Sequence, residues 1–210
     1  NGLSTLTGTS VTPDVWHHVA VTYNGSLATL YLDGVSVDTK SGTLVWEGGT
    51  HYPRIGSEDS GTYFFGGNID DVRMYSKALS STDIKQLYNS STNKISAVAT
   101  KPSGSSLTNG LVMHLTFDGK NLINNVVDSS GNGNTGYLKN MSTTTAVTAG
   151  RIGQALTFDG VNDYVRVAPS SSVNNMGPLT YAAWVYLPVA PGSENEIITK
   201  RRRIFAVSNL

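Results

Sequence analysis

"WHHVAVTYNGSLATLYLDG", residues 16–34, decides the fold. Val19, Val21 and Tyr23 alternate with His18, Ala20 and Thr22, and a period of two puts each set on its own face of a strand. Asn24-Gly25 follows, a pair that tolerates positive φ and turns the chain, and a second strand carries Leu30 and Leu32 to another turn at Asp33-Gly34. The stretch reads as a β-hairpin. Because neighbouring side chains on a strand point opposite ways, His17 and His18 fall on different faces and do not ligate one ion together.

The rest of the composition agrees with strands and turns. Charged residues make up 14% of the chain, against roughly 25% in ordinary globular domains, while Gly, Ser, Thr and Asn abound. A length of 210 residues allows one substantial core or two small ones. Fifteen basic and fifteen acidic side chains cancel, so no overall field gathers nucleic acid or an anionic membrane, and neither is expected as a partner. There is no cysteine, so packing alone must hold the fold. No apolar run reaches the length of a membrane span, and no membrane insertion is expected. The opening "NGLSTL" and the closing "RIFAVSNL" read as a segment of a longer chain.

Short strands recur through "TLVWE", "YPRIGS" and "YFFGGNIDDVRMY". A helix is predicted from Ser80, where "SSTD" forms a capping box with Asp83 and where Ile84, Leu87 and Tyr88 make an apolar stripe; it should end near Tyr88. Residues 91–108 are small and polar and read as a linker. Beyond it, "LVMHLTFDGKN" alternates as a strand, "DSSGNGNTG" is a loop, and "QALTFDGVNDYVRVAPS" makes two strands about Asp159-Gly160. "LTYAAWVYLP" is a strand ended by Pro188, with Trp184 buried, and one further strand runs through "EIITKRRRIFAV".

Together these motifs resemble the laminin G-like jelly-roll domains of the concanavalin A-like lectin and glucanase superfamily. Residues 16–34 resemble the family's central hairpin and "FFGGNIDDVRMYSKALSSTDI" its closing strand and helix. "LTFDG", "DSSGNGNTG", "GRIGQALTFDGVNDYVRV" and "YAAWVYL" resemble its opening half. The order is reversed: residues 1–90 correspond to the C-terminal half of such a domain and residues 109–210 to the N-terminal half. Each half alone would expose an apolar sheet face and open edges. The resemblance therefore implies an all-β antiparallel sandwich, a jelly roll closed as one circularly permuted domain with one short helix. It further implies a non-catalytic module that binds carbohydrate or protein within a secreted or cell-surface multidomain protein, its partner a glycan or an extracellular protein. An accessory piece of a glycoside hydrolase and a structural spacer are the rivals.

Hydrolysis of a glycoside with retention needs two carboxyls roughly 5 Å apart. The nearest candidates, Glu58 with Asp59 and Glu194 with Glu196, look like loop carboxylates. Calcium suits the chain better, since hard cations take carboxylate, amide and carbonyl oxygens. By resemblance, "IDDVRMY" implies Asp70 as the first Ca2+ ligand, with Asp118 of "TFDG" and the Gly153 carbonyl beside it; the ion would be structural. Asp128, Asn132 and Asn134 are further oxygen donors, without the acidic last ligand of a helix-loop calcium site. All of these residue types also cap tight turns. For a sugar, Trp46 beside His51 and Tyr52 is the aromatic site to test first. The basic run "KRRR", residues 200–203, is expected to be solvated.

Overall fold

The computed structural model describes residues 6, 11–43, 53–58, 63–92, 107–119, 122, 125–142, 146–173, 177–188, 195–200 and 202–207. The hairpin comes first, as β1 (Trp16–Tyr23) and β2 (Leu27–Leu32). Its turn is held by the Asn24 side chain, whose Oδ1 accepts the N–H groups of Ser26 and Leu27 at 3.0 and 2.9 Å. Asp33 and Gly34, with φ of 50° and 79°, then reverse the chain into β3 (Val35–Ser41), the two positive values that a tight hairpin turn requires.

The remaining strands are β4 (Arg54–Ile55), β5 (Gly66–Tyr75), β6 (Leu111–Leu115), β7 (Asn125–Val126), β8 (Gly136–Lys139) and β9 (Val147–Ala149). They continue with β10 (Gln154–Asp159), β11 (Tyr164–Val167), β12 (Leu179–Tyr186), β13 (Asn195–Lys200) and β14 (Arg202–Val207). One eight-stranded sheet runs β3-β2-β1-β12-β5-β10-β9, with β6 also paired to β5; a six-stranded sheet runs β14-β13-β4-β11-β8-β7. The protein is an antiparallel β-sandwich of the jelly-roll kind. Strands from before and after residues 93–106 alternate in both sheets; those residues, the centre of the expected linker, lie outside the described ones.

β12 is the joint. It pairs with β1 from Trp16 opposite Tyr186 to Tyr23 opposite Leu179, and with β5 from Thr180 opposite Tyr75 to Tyr186 opposite Asn68. Its sequence is apolar on both faces because both are covered. Tyr181, Ala183 and Val185 enter the core between the sheets, while Ala182 packs beneath the helix. On its far side, the long β5 pairs with β10 near one end and with β6 near the other. Between those stretches the register against β12 shifts and Asp71 takes φ 50°, a bulge that re-aims the side chains around it.

Helix α1 (Ser81–Thr92) begins as the capping box predicts. The Ser80 N–H donates to Asp83 Oδ2 at 3.1 Å and the Asp83 N–H donates back to Ser80 Oγ at 3.1 Å. Ile84 and Leu87 bury themselves against Ala20, Tyr31, Tyr75 and Ala182 on the outer face of the large sheet. The helix continues past Tyr88 to Thr92, because "NSST" holds neither a Gly nor a Pro to stop it, although the apolar stripe has ended.

One other expectation is corrected. "EIITKRRRIFAV" is not one strand but two, since Lys200 pairs with Arg202 and the chain doubles back; the charged run interrupts the alternation and the reversal falls there. The two strands expected about Asp159-Gly160 are β10 and β11, and they lie in different sheets. At that corner Asp159 Oδ1 accepts N–H groups from Val161, Asn162 and Asp163 at 2.8, 3.1 and 3.3 Å.

If β12 joins the sheet, truncating its largest side chain should be felt on both sides of it. Trp184, fully buried and opposite His18 on β1, should cost about 3–5 kcal/mol when changed to Ala. Urea unfolding measures the loss, and hydrogen exchange should show β1, β5 and α1 losing protection together.

Candidate functional site

The turn between β9 and β10 is where the structure gathers oxygen chemistry. Gly150 N–H donates to the Gly153 carbonyl at 3.0 Å and closes it. Two carboxylates from other elements then grip its backbone. Asp70, on β5, accepts the Ile152 N–H at 2.8 Å through Oδ2, and Asp118, just after β6, accepts the Gln154 N–H at 3.0 Å through Oδ1. Only glycine allows this approach: a Cβ on Gly153, at φ 65°, would stand 2.1 Å from Asp118 Oδ1, and one on Gly150 would stand 2.6 Å from Asp70 Oδ2. Asp70, Asp118 and Gly153, named from the sequence, thus meet on one turn.

Asp70 is fully buried, and its Oδ1 makes no hydrogen bond among the described residues. Burial pushes its carboxyl up to about 7; the Ile152 N–H opposes this, while the charges of Asp71 and Asp118 add to it. A buried, unbonded carboxylate oxygen beside a second carboxylate fits a hard cation, which would supply the missing partner and relieve the repulsion. Among the described residues no cluster of three or more His, Cys, Asp or Glu is placed to hold a metal. A cation here would therefore take two carboxylates and complete its shell from carbonyls such as that of Gly153 and from water.

Next to this turn, on the outer face of the large sheet, lies a cluster that sequence reading missed. Trp184 is stacked on by the Tyr88 ring with centroids 5.6 Å apart, met by the His18 ring at 5.3 Å, and capped by the Arg151 guanidinium 4.8 Å from its ring centre. Beside it, Asp71 forms an ion pair with Arg73 at 3.1 Å and a hydrogen bond with His114 Nε2 at 2.5 Å. Burial opposes ionisation of Asp71, but Arg73 and His114 hold its carboxyl below the ordinary value. Burial lowers His18 to about 4, and its Nδ1 finds no hydrogen-bond partner among the described residues. The alternation of Asp71 with Arg73 was visible in "IDDVRMY"; that His114 stands opposite Arg73 was not, because it depends on the β5–β6 pairing.

The two histidines of the opening stretch occupy different surroundings, as their alternation requires. His17 joins Asp33 Oδ2 at 2.7 Å and the Thr12 carbonyl at 3.1 Å, while His18 lies against Trp184 and Tyr88. The loop at 128–134 spends the Asp128 and Asn134 oxygens on hydrogen bonds within the loop and to β6 and the segment after β11. Asp128 accepts N–H groups from His114, Ser130 and Asn134 at 2.9 Å each, and Asn134 Oδ1 accepts the Ser170 and Ser172 hydroxyls at 2.6 and 3.2 Å. The Asn132 amide donates to the Leu111 carbonyl at 3.0 Å. Turn chemistry accounts for these residues. Trp46, His51, Tyr52, Asp59 and Glu194 lie outside the described residues, as does the Glu196 side chain.

Two packed antiparallel sheets define the class as a β-sandwich of the jelly-roll kind. Within it, residues 2–85, from before β1 into the first turn of α1, match the Laminin_G_3 family model of the Concanavalin A-like lectin/glucanases superfamily. Comparison with curated proteins and with solved structures returned no match. The laminin G-like reading of the hairpin, of β5 and of the start of α1 is thereby upheld; membership of this superfamily suggests a carbohydrate- or protein-binding module, and laminin G-like domains are typically non-catalytic.

His18 and Asp70 should tilt stability against pH in opposite senses. The folded state keeps His18 neutral down to about 4, while the unfolded chain takes up a proton near 6.5, so stability is lost as pH falls through that window. Asp70 stays protonated up to about 7 when folded and ionises near 3.8 when unfolded, so its contribution is lost as pH rises from 4 to 7. In metal-free buffer, Asp70→Asn should abolish the second decline. Urea titrations at stepped pH that show the same decline in the variant would refute the assignment.

Proposed function

We propose that the protein is a non-catalytic carbohydrate-recognition module of a secreted or cell-surface multidomain protein. The observation that carries this is the family match of residues 2–85, placed on a sandwich whose remaining strands come from the other end of the chain. Residues 1–90 and 109–210 act as complementary halves of one permuted jelly roll. The support for this is the insertion of β12 between β1 and β5, which covers apolar faces that either half alone would leave wet.

The turn at residues 150–154 is a structural Ca2+ site in this reading. Asp70 and Asp118 hold the ion, and the Gly153 carbonyl joins them. What Ca2+ supplies there is charge: it neutralises two carboxylates that the fold has brought together and pins β5, β10 and the segment after β6 to one another. The protein's own part is to position the donors, and the glycines at 150 and 153 make that approach sterically possible.

A glycan array run with Ca2+ and repeated with chelator tests recognition and separates it from the metal. Sugar signals that survive chelation assign calcium to the fold alone; an array without any signal favours a protein partner or a spacer and ends the carbohydrate reading. Binding of Ca2+ itself is read from melting. At a hundredfold excess over Kd the ion should add about 2.7 kcal/mol, or about 5–10 °C for a chain of this size. Asp118→Asn should erase that shift. A melting temperature indifferent to millimolar Ca2+ would dismiss the site.

A further inference from the structure

The strands fall into two halves, β1 to β5 with α1 before residues 93–106 and β6 to β14 after them, and among the described strands as many ladders run between the halves as within them. Between them, β1 pairs with β12, β5 with β12, β10 and β6, and β4 with β11 and β13. Within them lie β1–β2, β2–β3, β9–β10, β8–β11, β7–β8 and β13–β14. Neither β4 nor β5 has a ladder partner in its own half. Taken alone, the first half would keep only the meander of β1, β2 and β3, and Ile69, Val72 and Met74 of β5, now in the core, would meet water.

One stretch, residues 93–106, joins the halves, and with no cysteine in the chain no disulfide adds a second link. Every pairing that closes the sandwich is therefore one that another molecule of the same sequence can supply. We propose that the protein self-associates by strand exchange: the second half of one copy closes on the first half of another, so that the partner these ladder edges fit is a second copy of this chain. The inference rests on the reading of the chain as two complementary halves. An exchanged dimer holds the same ladders and buries the same core as two closed monomers, which leaves the choice between them to concentration and to the joining stretch. In the closed form Leu107 packs into the cluster of Ile84 and Leu87, so the described residues on either side of that stretch meet in one place. The fourteen residues from 93 to 106 reach about 50 Å at full extension, against a radius of gyration of about 17 Å for a globule of 210 residues, long enough to pass from one sandwich to its neighbour. A tether of this length and of small, polar composition sets an effective concentration of the order of mM, and exchange competes with closure when chains fold at that concentration.

The absence of native cysteine permits a test by cross-linking across one ladder between the halves. Thr157 on β10 stands opposite Asn68 on β5, its hydroxyl donating to Asn68 Oδ1 at 2.9 Å, and directly opposed antiparallel positions suit a disulfide. The double variant Asn68→Cys with Thr157→Cys, folded at about 1 µM, should cross-link within its own chain. An equal mixture of chains carrying Asn68→Cys alone and Thr157→Cys alone can form the same bond only between copies. Unfolded together, refolded at about 1 mM and air-oxidised, this mixture should yield a covalent dimer that peptide mapping assigns to residues 68 and 157, with at least tenfold less of it after refolding at about 1 µM. Deletion of residues 93–106, which joins Thr92 to Leu107, should raise the dimer at about 1 µM at least tenfold; if that variant fails to fold, the full chain at the higher concentration decides. Absence of a 68–157 link between full-length copies at the higher concentration, or dimers mapped only to 68–68 and 157–157 links, overturns the proposal, while an intact link within the double variant leaves the complementary halves standing. A double variant that folds and cross-links in neither arrangement removes both.

Discussion

The structure depends on one strand being inserted between two others. β12 hydrogen-bonds along its whole length to β1 on one side and to β5 on the other, and those two neighbours come from the opposite end of the chain. Without it, two ladders would open in the middle of the large sheet. The apolar faces of "VAVTY" and "YAAWVY" would then meet water, and the outer surface on which α1 lies would divide. The core between the sheets draws on the same arrangement, since Val19, Val21, Ile69, Met74, Tyr181 and Val185 enter one buried cluster. Hydrophobic burial is the driving term, and strand pairing decides which residues share it.

The same insertion builds the site. Asp70 sits on β5 opposite Trp184 of β12, at the bulge where register shifts. The bulge allows two successive acids, Asp70 and Asp71, to find separate partners: one grips the turn at 150–154, the other pairs with Arg73 and His114. A regular strand would send neighbouring side chains to opposite faces, and one of these acids would enter the apolar core unpaired. The positive φ of Asp71 is the local strain that goes with this arrangement. Asp70 retains a buried oxygen without a hydrogen bond among the described residues.

The two outer surfaces have different chemistry for a physical reason. Part of the outer face of the large sheet is covered by α1 and by Arg151, and there Tyr88, His18 and Arg151 pack on Trp184. The face of the small sheet that carries Arg54, Arg166 and Tyr137 in one row across β4, β11 and β8 shows the polar alternation of a half-solvated antiparallel sheet.

Much of the fold was legible along the chain. The period of two at residues 18–23, the Asn24-Gly25 and Asp33-Gly34 turns and the Ser80–Asp83 capping box are local devices, and local steric and hydrogen-bonding rules suffice to read them. Asp70, Asp118 and Gly153 were reachable through family resemblance, not through spacing, because they are far apart in sequence. What lay beyond reach had a common cause. The doubling back at Lys200–Arg202, the separation of β10 and β11 into different sheets, the Asp71–Arg73–His114 cluster and the Arg54–Arg166–Tyr137 row all depend on which strand lies beside which. The sequence by itself determined where strands begin and turn and which side chains are apolar; only the tertiary structure decided their neighbours, because pairing between distant strands follows from the burial of a shared core and not from any residue's own preference.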